Sequence, residues 1–382
     1  MRITAQLIDA LSEEHLWAAT YDRTLEDIFD IQSDVAARVA GSIPAVVLPK
    51  SEKKDTDDLE AYTLYLKATQ ILHQGNWNSV RHAISMLEKA VSSDPGFVRA
   101  QASLAIALQS LTALPGEDPL ALGERSESIA RRALELGPEF AESHVAMAVV
   151  HAGSDRREEA VTEAEKAVQI NPSFADAYLT IGMESTVMGR IDQGLQAFKR
   201  GYELDPLYFE MGAFLAFALE YSSRREEALD QLDRLSQVFP KSGMTYVAKA
   251  RMLMAQRRFG EAQDMLDKAE AIEPGLPFRR MNQGVLFALT GRKKEAEGVL
   301  KQLRSEKNEF LRLVGRLNIQ SALGNFDDAF AALEVMGDKH LWDWVMIYNP
   351  LLSELQKDPR FDEFRAKVGL PPREGGPQGA SS

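Results

Sequence analysis

The sequence predicts an all-α solenoid made of one two-helix unit repeated in tandem, and three ladders of residues carry that prediction. Pro138, Pro172, Pro206, Pro240 and Pro274 stand 34 residues apart. Ala148, Gly182, Ala216, Ala250 and Gly284 keep the same spacing, and so do Ala160, Gly194, Ala228, Ala262 and Ala296. A fixed period of this length marks a helix–turn–helix unit copied along the chain, each copy burying its apolar side against its neighbours. The small residues fall where two helices cross closely, and the proline falls just past the second helix, where its missing N–H stops the helix. Larger side chains, Phe198, Leu232, Leu266 and Leu300, follow the second small residue by one helical turn and fill the gap between layers.

This pattern resembles the tetratricopeptide repeat (TPR). Tyr178, Ile181, Gly182, Gly189, Gly194, Phe198 and Pro206 make the fourth unit the fullest copy. The resemblance implies a right-handed superhelix of about seven or eight helix–turn–helix repeats whose first helices line the concave side. A first unit carries Ala83, Leu87, Ala90 and Pro95 at the second-helix positions. A second unit runs from Phe97 to Pro138 and holds its extra length in the turn at 112–119. After five regular units, residues 309–337 form a degenerate eighth copy, with Ala329 one position out of phase.

The array is expected over residues 59–337, between less regular ends. Residues 1–45 read as a β-hairpin plus helix, with strands at 2–9 and 15–23 around a polar turn at 12–14. Thr24 and Asp27 then cap a helix marked by Ile28, Ile31, Val35 and Val39. Residues 46–58 form a charged linker, 338–370 a C-terminal capping segment containing a helix from about 359 to 368, and 371–382 a disordered tail. The stretches AQLIDA, EHLWAATYDR and DIFDIQSDVA, followed by the linker and AYTLYLKA, resemble a junction in bacterial multidomain regulators. There, a small α/β sensory domain precedes a TPR array, often behind a class III adenylate or guanylate cyclase or a winged-helix DNA-binding domain. The stretch LQKDPRFDEFRAKVGLPP resembles the way such arrays close. On that resemblance, residues 1–45 are part of a sensory domain.

Composition narrows the function. A net charge of −13 repels phosphate backbones and anionic lipid, so neither nucleic acid nor direct membrane insertion is expected. The chain has no cysteine, which excludes disulfides and thiolate-ligated metal. As written it carries no signal peptide or membrane-spanning run. The expected location is cytoplasmic, or periplasmic if the chain is a fragment of a membrane-anchored regulator.

Candidate interaction residues come from two registers. The inward positions implied by the TPR resemblance hold Val145, Val149, Leu179, Met183, Phe217, Tyr221, Val247, Met254, Met281 and Val285. This apolar, methionine-containing set suits either a groove for an amphipathic peptide or packing, against neighbouring helices or against the chain's own C-terminal segment. TPR proteins that clamp acidic chaperone tails use Lys and Asn at these places. Here they are apolar or acidic, including Glu142, Asp176, Glu210 and Glu220, which rejects that function. The second register is a basic edge, Arg156, Arg190, Arg224, Arg258 and Arg292, again 34 apart, followed closely by acids. It reads as helix-dipole compensation or as a rail for an acidic partner.

No catalytic motif stands out from the repeats, and no cofactor or metal site is expected. His144 and His151 lie seven apart on one helix, too far along the axis for a zinc pair. Trp342, Trp344 and Tyr348 concentrate aromatic area near the end of the array and read as a cover for the last repeat or as a partner hot spot. The expected function is a non-catalytic scaffold for protein–protein interaction and signal transduction. The alternative is the C-terminal regulatory portion of a class III adenylate cyclase whose catalytic domain is absent from this chain. Protein or peptide partners are expected, with self-association through the hairpin edge as a further route.

Overall fold

The computed structural model describes residues 2–8, 15–22, 35, 55–73, 79–112, 118–306, 308–339 and 348–370. Strands β1 (Arg2–Ile8) and β2 (His15–Asp22) pair antiparallel, Arg2 opposite Asp22 and Ala5 opposite Ala19, with a break in register between Leu7 and Ile8. The turn at 12–14, the helix expected after Thr24 except for helical Val35, and the linker up to residue 54 lie outside the described residues. So do His340, Trp342, Trp344 and the tail 371–382.

Eight helix pairs follow. They are α1 (Leu59–His73) with α2 (Val80–Ser93), α3 (Val98–Leu111) with α4 (Pro119–Leu136), α5 (Ala141–Gly153) with α6 (Arg157–Ile170), and α7 (Ala175–Val187) with α8 (Ile191–Leu204). Then come α9 (Phe209–Tyr221) with α10 (Arg225–Val238), α11 (Gly243–Ala255) with α12 (Phe259–Ile272), α13 (Pro277–Leu289) with α14 (Lys293–Leu303), and α15 (Glu309–Leu323) with α16 (Phe326–Asp338). Two 3-10 turns, Pro350–Leu352 and Leu355–Lys357, lead into a last helix, α17 (Pro359–Lys367). Each first helix packs on its own second helix and on the first helix of a neighbouring unit.

The small residues sit where the helices touch. Ala148, Ala216 and Ala250 on the first helices and Ala160, Ala228, Ala262 and Ala296 on the second have no exposed surface. Where glycine stands instead, the space is already taken. A Cβ on Gly182 would lie 2.5 Å from the Phe198 ring, and one on Gly194 would lie 2.9 Å from the Gly182 carbonyl oxygen. Phe198, Leu232 and Leu266 fill the layer behind these crossings and are fully buried, whereas Leu300 is half-buried.

The turn inside each unit is also set by the period. The backbone takes a left-handed φ at Asp155 (56°), Gly189 (81°), Ser223 (61°), Arg257 (61°) and Gly291 (77°), positions 34 apart. The next residue's N–H then reaches back to the first helix, as Arg190 N to Ser185 O at 2.8 Å and Arg258 N to Leu253 O at 2.9 Å, closing its exposed carbonyl end. Glycine adopts this conformation without cost; a side chain there costs about 1–2 kcal/mol. Ser223→Gly and Arg257→Gly are therefore each expected to raise unfolding stability by about 1 kcal/mol in urea titrations; no gain at either position would show that the turn does not limit stability. In the eighth unit the same turn falls on Gly324 (79°), one residue early, matching the phase shift at Ala329.

Both ends of the array are tied down. At the C-terminus, α17 lays Phe361 and Phe364 onto α16, and a Cβ on Gly337 would meet the Phe364 ring at 3.0 Å. At the N-terminus, residues 55–58, which the sequence places in the linker, are instead bonded to the first two units. Asp55 pairs with Arg99, Thr56 Oγ1 donates to Asp94 at 2.6 Å, and Asp58 Oδ1 accepts from the backbone N–H groups of Glu60 (2.9 Å) and Ala61 (3.0 Å), capping α1.

Candidate binding surface on the inner face of the array

The first helices face one another across the curve of the array. From the end of α1, the His73 ring stacks on Tyr208 at 5.0 Å, and its Nε2 comes within 3.9 Å of the Asp176 carboxylate in α7. The first unit thus touches the fourth and fifth across an inner face bordered by α1, α7 and the start of α9.

The ten apolar residues expected there divide in two. Val145, Val247, Met254, Met281 and Val285 are buried between helices and offer no surface. The 34-residue register fixes their phase on the helix but not how far the neighbouring helix covers them. Val149, Leu179, Met183, Phe217 and Tyr221 are half-buried and keep part of their surface open or covered by non-repeat chain.

Around Phe217 and Tyr221 the surface acquires polar groups. The Arg251 guanidinium lies over the Phe217 ring, 4.6 Å from its centre, and donates from Nη2 to the Tyr221 hydroxyl at 2.9 Å. The C-terminal chain reaches the same place. Tyr348 packs its ring 6.0 Å from that of Tyr221, and its hydroxyl points to the Val187 carbonyl of α7 at 3.5 Å. Asn349 and Pro350 then close a small cavity with Phe217, Glu220, Tyr221 and Arg251. Asn349 is 2% exposed; its Nδ2 donates to Asn318 Oδ1 at 2.9 Å and its Oδ1 accepts from Leu351 N at 3.1 Å.

Glu220 is the anomaly of this site. Its side chain is 2% exposed, neither carboxylate oxygen has a hydrogen-bond partner, and the Arg225 Nε stands 3.9 Å away. Burial raises its pKa above the ordinary 4.5, against the pull of Arg225 and Arg251. The folded chain therefore holds this proton to higher pH than the unfolded chain does. The cost of Glu220 is absent below about pH 4.5 and grows as pH rises through the folded value. Glu220→Gln should stabilise the protein by about 1 kcal/mol at pH 7.5 and by nothing at pH 4, as read by denaturant titration at both; a pH-independent difference would refute the assignment.

The basic edge is neutralised within the chain. Arg190 pairs bidentately with Glu158 of the preceding unit. Arg224 pairs with Glu227 at 2.5 Å, Arg258 with Glu261 at 2.7 Å and Arg292 with Glu295 at 2.9 Å, while Arg156 stands 3.8 Å from Glu127. These are exposed, screened pairs at the starts of the second helices. His144 is a packing residue, its Nδ1 2.7 Å from Glu163 and its Nε2 2.9 Å from the Pro138 carbonyl oxygen. Among the described residues no group of three or more His, Asp or Glu is placed to hold a metal ion. No helix among them is long and apolar enough to cross a membrane.

Eight stacked helix pairs, with alanine and glycine crossings at a 34-residue period, define a TPR solenoid. No protein-family model matches the chain. A protein of Rhizobium meliloti (strain 1021) named "Putative adenylate cyclase 3" is 37% identical over 110 residues, which are 28% of this chain and 19% of that protein. The chain thus spans about a fifth of the length of the curated relative it matches. Among solved structures, yeast Tom70 aligns at 16% identity over 89% of this chain and 75% of its own, with a TM-score of 0.48. A thermophilic TPR protein of Thermus thermophilus, TTC0263, aligns at 16% identity over 50% of this chain and 98% of its own, with a TM-score of 0.41. YrrB, described as a TPR protein with an unusual peptide-binding site, aligns at 20% identity over 50% and 95%, with a TM-score of 0.37.

Proposed function

We propose that this chain is a non-catalytic scaffold that binds a peptide or protein segment on its inner face and serves as the regulatory part of a signalling protein. The supporting observation is the half-buried lining of Leu179, Met183, Phe217 and Tyr221, which runs across two adjacent units beside the polar handles Arg251 and Asn318. Apolar surface for contact with polar groups for orientation is what a peptide groove requires. The paired arginines of the outer edge offer an acidic partner little free charge, which favours the inner face over that rail. The test is a display library of short random peptides selected against the whole chain. Binders should lose affinity on Leu179→Asp or Met183→Asp while the melting temperature holds, and binders indifferent to both changes would refute the assignment.

The second reading, the regulatory portion of a class III adenylate cyclase, is favoured by the identity to the Rhizobium protein. On this reading the chain makes no cyclic AMP from ATP with Mg²⁺ or Mn²⁺ but alters the turnover of a cyclase catalytic domain fused ahead of it. Turnover by the chain alone, or no effect on the fusion, would exclude it.

A further inference from the structure

Residues 348–352, which follow the last helix pair in sequence, lie against the inner face of the array. They do not rest on the last helix pair alone. Tyr348 reaches Val187 in α7 and Tyr221 in α9, Asn349 and Pro350 line the cavity with Arg251 and Met252 of α11, and Asn349 is bonded to Asn318 in α15. Leu352 is buried in the core that these helices share. The segment therefore spans first helices of four units, on the same side as Leu179, Met183, Phe217 and Tyr221.

Its binding mode is that of a ligand. An aromatic ring packs at a tilt against an aromatic ring of the groove, a buried asparagine reads a side-chain amide, and a proline starts a 3-10 turn that seats a leucine. The seat is imperfect, because the docked segment helps to wall in the Glu220 carboxylate and supplies no donor to either oxygen. A buried carboxylate without a hydrogen bond costs free energy, and the share of that burial supplied by the segment counts against docking.

We propose that residues 348–352 are an intramolecular occupant of the peptide groove, and that the groove's partner is a segment with the same aromatic–Asn–Pro–Leu order, which binds by displacing them. The inference rests on the reading of the inner face as a binding surface and adds both the chemistry of its ligand and its regulation. A tethered occupant competes at high effective concentration, so an external segment sees only the fraction of molecules in which the groove is open.

The test titrates a fluorescein-labelled synthetic peptide copying residues 348–358 against three full-length chains. Wild type should bind weakly. Tyr348→Ala/Asn349→Ala, with the internal segment disabled and the groove intact, should bind at least tenfold tighter. Adding Tyr221→Ala to that variant should return binding to the wild-type level or below. Equal binding to wild type and to the double variant overturns the proposal, as does no binding to a double variant of unchanged helicity and melting temperature. If the double variant melts early, Asn349→Asp takes its place. The carboxylate still caps Leu351 but loses the donor to Asn318, and the same tenfold criterion applies. Failure here while library peptides still bind through Leu179 and Met183 removes the internal occupant and leaves the groove standing; failure of both removes the groove.

Discussion

Phe198→Ala is expected to cost about 3–5 kcal/mol of unfolding free energy, and Gly182→Ala, harmful by itself, is expected to be benign in that background. Phe198 is fully buried and packs its ring 5.9 Å from that of Phe214 in the next unit, so removing it opens a cavity at the junction of two layers. The same ring leaves no room for a methyl group on Gly182, since a Cβ there would stand 2.5 and 2.6 Å from two of its carbons. Gly182→Ala alone must push the ring aside, at about 1–3 kcal/mol. Once the ring is gone the clash goes with it, and alanine gains about 1 kcal/mol of helix propensity over glycine. Urea titration of the four chains should give a coupling of about 2 kcal/mol between the sites. Additivity within about 0.5 kcal/mol would mean that the crossing does not depend on this glycine–phenylalanine fit.

That fit shows why so much of the fold could be read from the sequence. Helix crossings recur wherever the unit recurs, so Ala148, Gly182, Ala216, Ala250 and Gly284 mark the same physical event at a constant interval. The left-handed turn could be read at Gly189 and Gly291 but not at Asp155, Ser223 or Arg257, where the position requires the conformation and the residue type does not announce it. The inner face was harder to read. The helix phase that places Leu179 and Phe217 on that side places Met254 and Val285 there too, yet these are buried, because the curvature that decides coverage is a property of the stack and not of one unit. The internal occupant could not be read from any period. Tyr348 touches Val187 at a sequence separation of 161, and what the sequence displays, a cluster of aromatics past the last repeat, suits a cap as well as a ligand. Glu220 is one of four acids at inward positions where chaperone-tail clamps carry Lys and Asn, but nothing in the sequence says that it is buried and lacks a hydrogen bond.

Asp55→Ala should destabilise the chain as much as the loss of a large core side chain, although Asp55 lies where the sequence reads only a solvated linker. Its carboxylate takes three bonds from one residue of the second unit: Arg99 Nη2 at 2.7 Å and Nε at 3.0 Å to Oδ1, and the Arg99 backbone N–H at 3.0 Å to Oδ2. The two side chains are 3% and 9% exposed. Burial pulls the Arg99 pKa down, but bonding and charge from Asp55 outweigh it and hold the pKa above its ordinary value, so the guanidinium stays charged. A buried pair of this kind contributes little net stability, since desolvating two charges offsets most of their attraction. Breaking it is another matter. Asp55→Ala removes the carboxylate that compensates the buried Arg99 charge, at about 3–5 kcal/mol. The double change Asp55→Leu/Arg99→Met, which removes both charges and keeps apolar volume, should recover most of that loss. Loss confined to the first two units would appear as an early partial transition in hydrogen exchange, with amides of α1 to α3 exposed first, because a solenoid unit is held mainly by its neighbours. If Asp55→Ala melts with the wild type, the pair is not formed in solution, and residues 55–58 behave as the linker that their composition suggests.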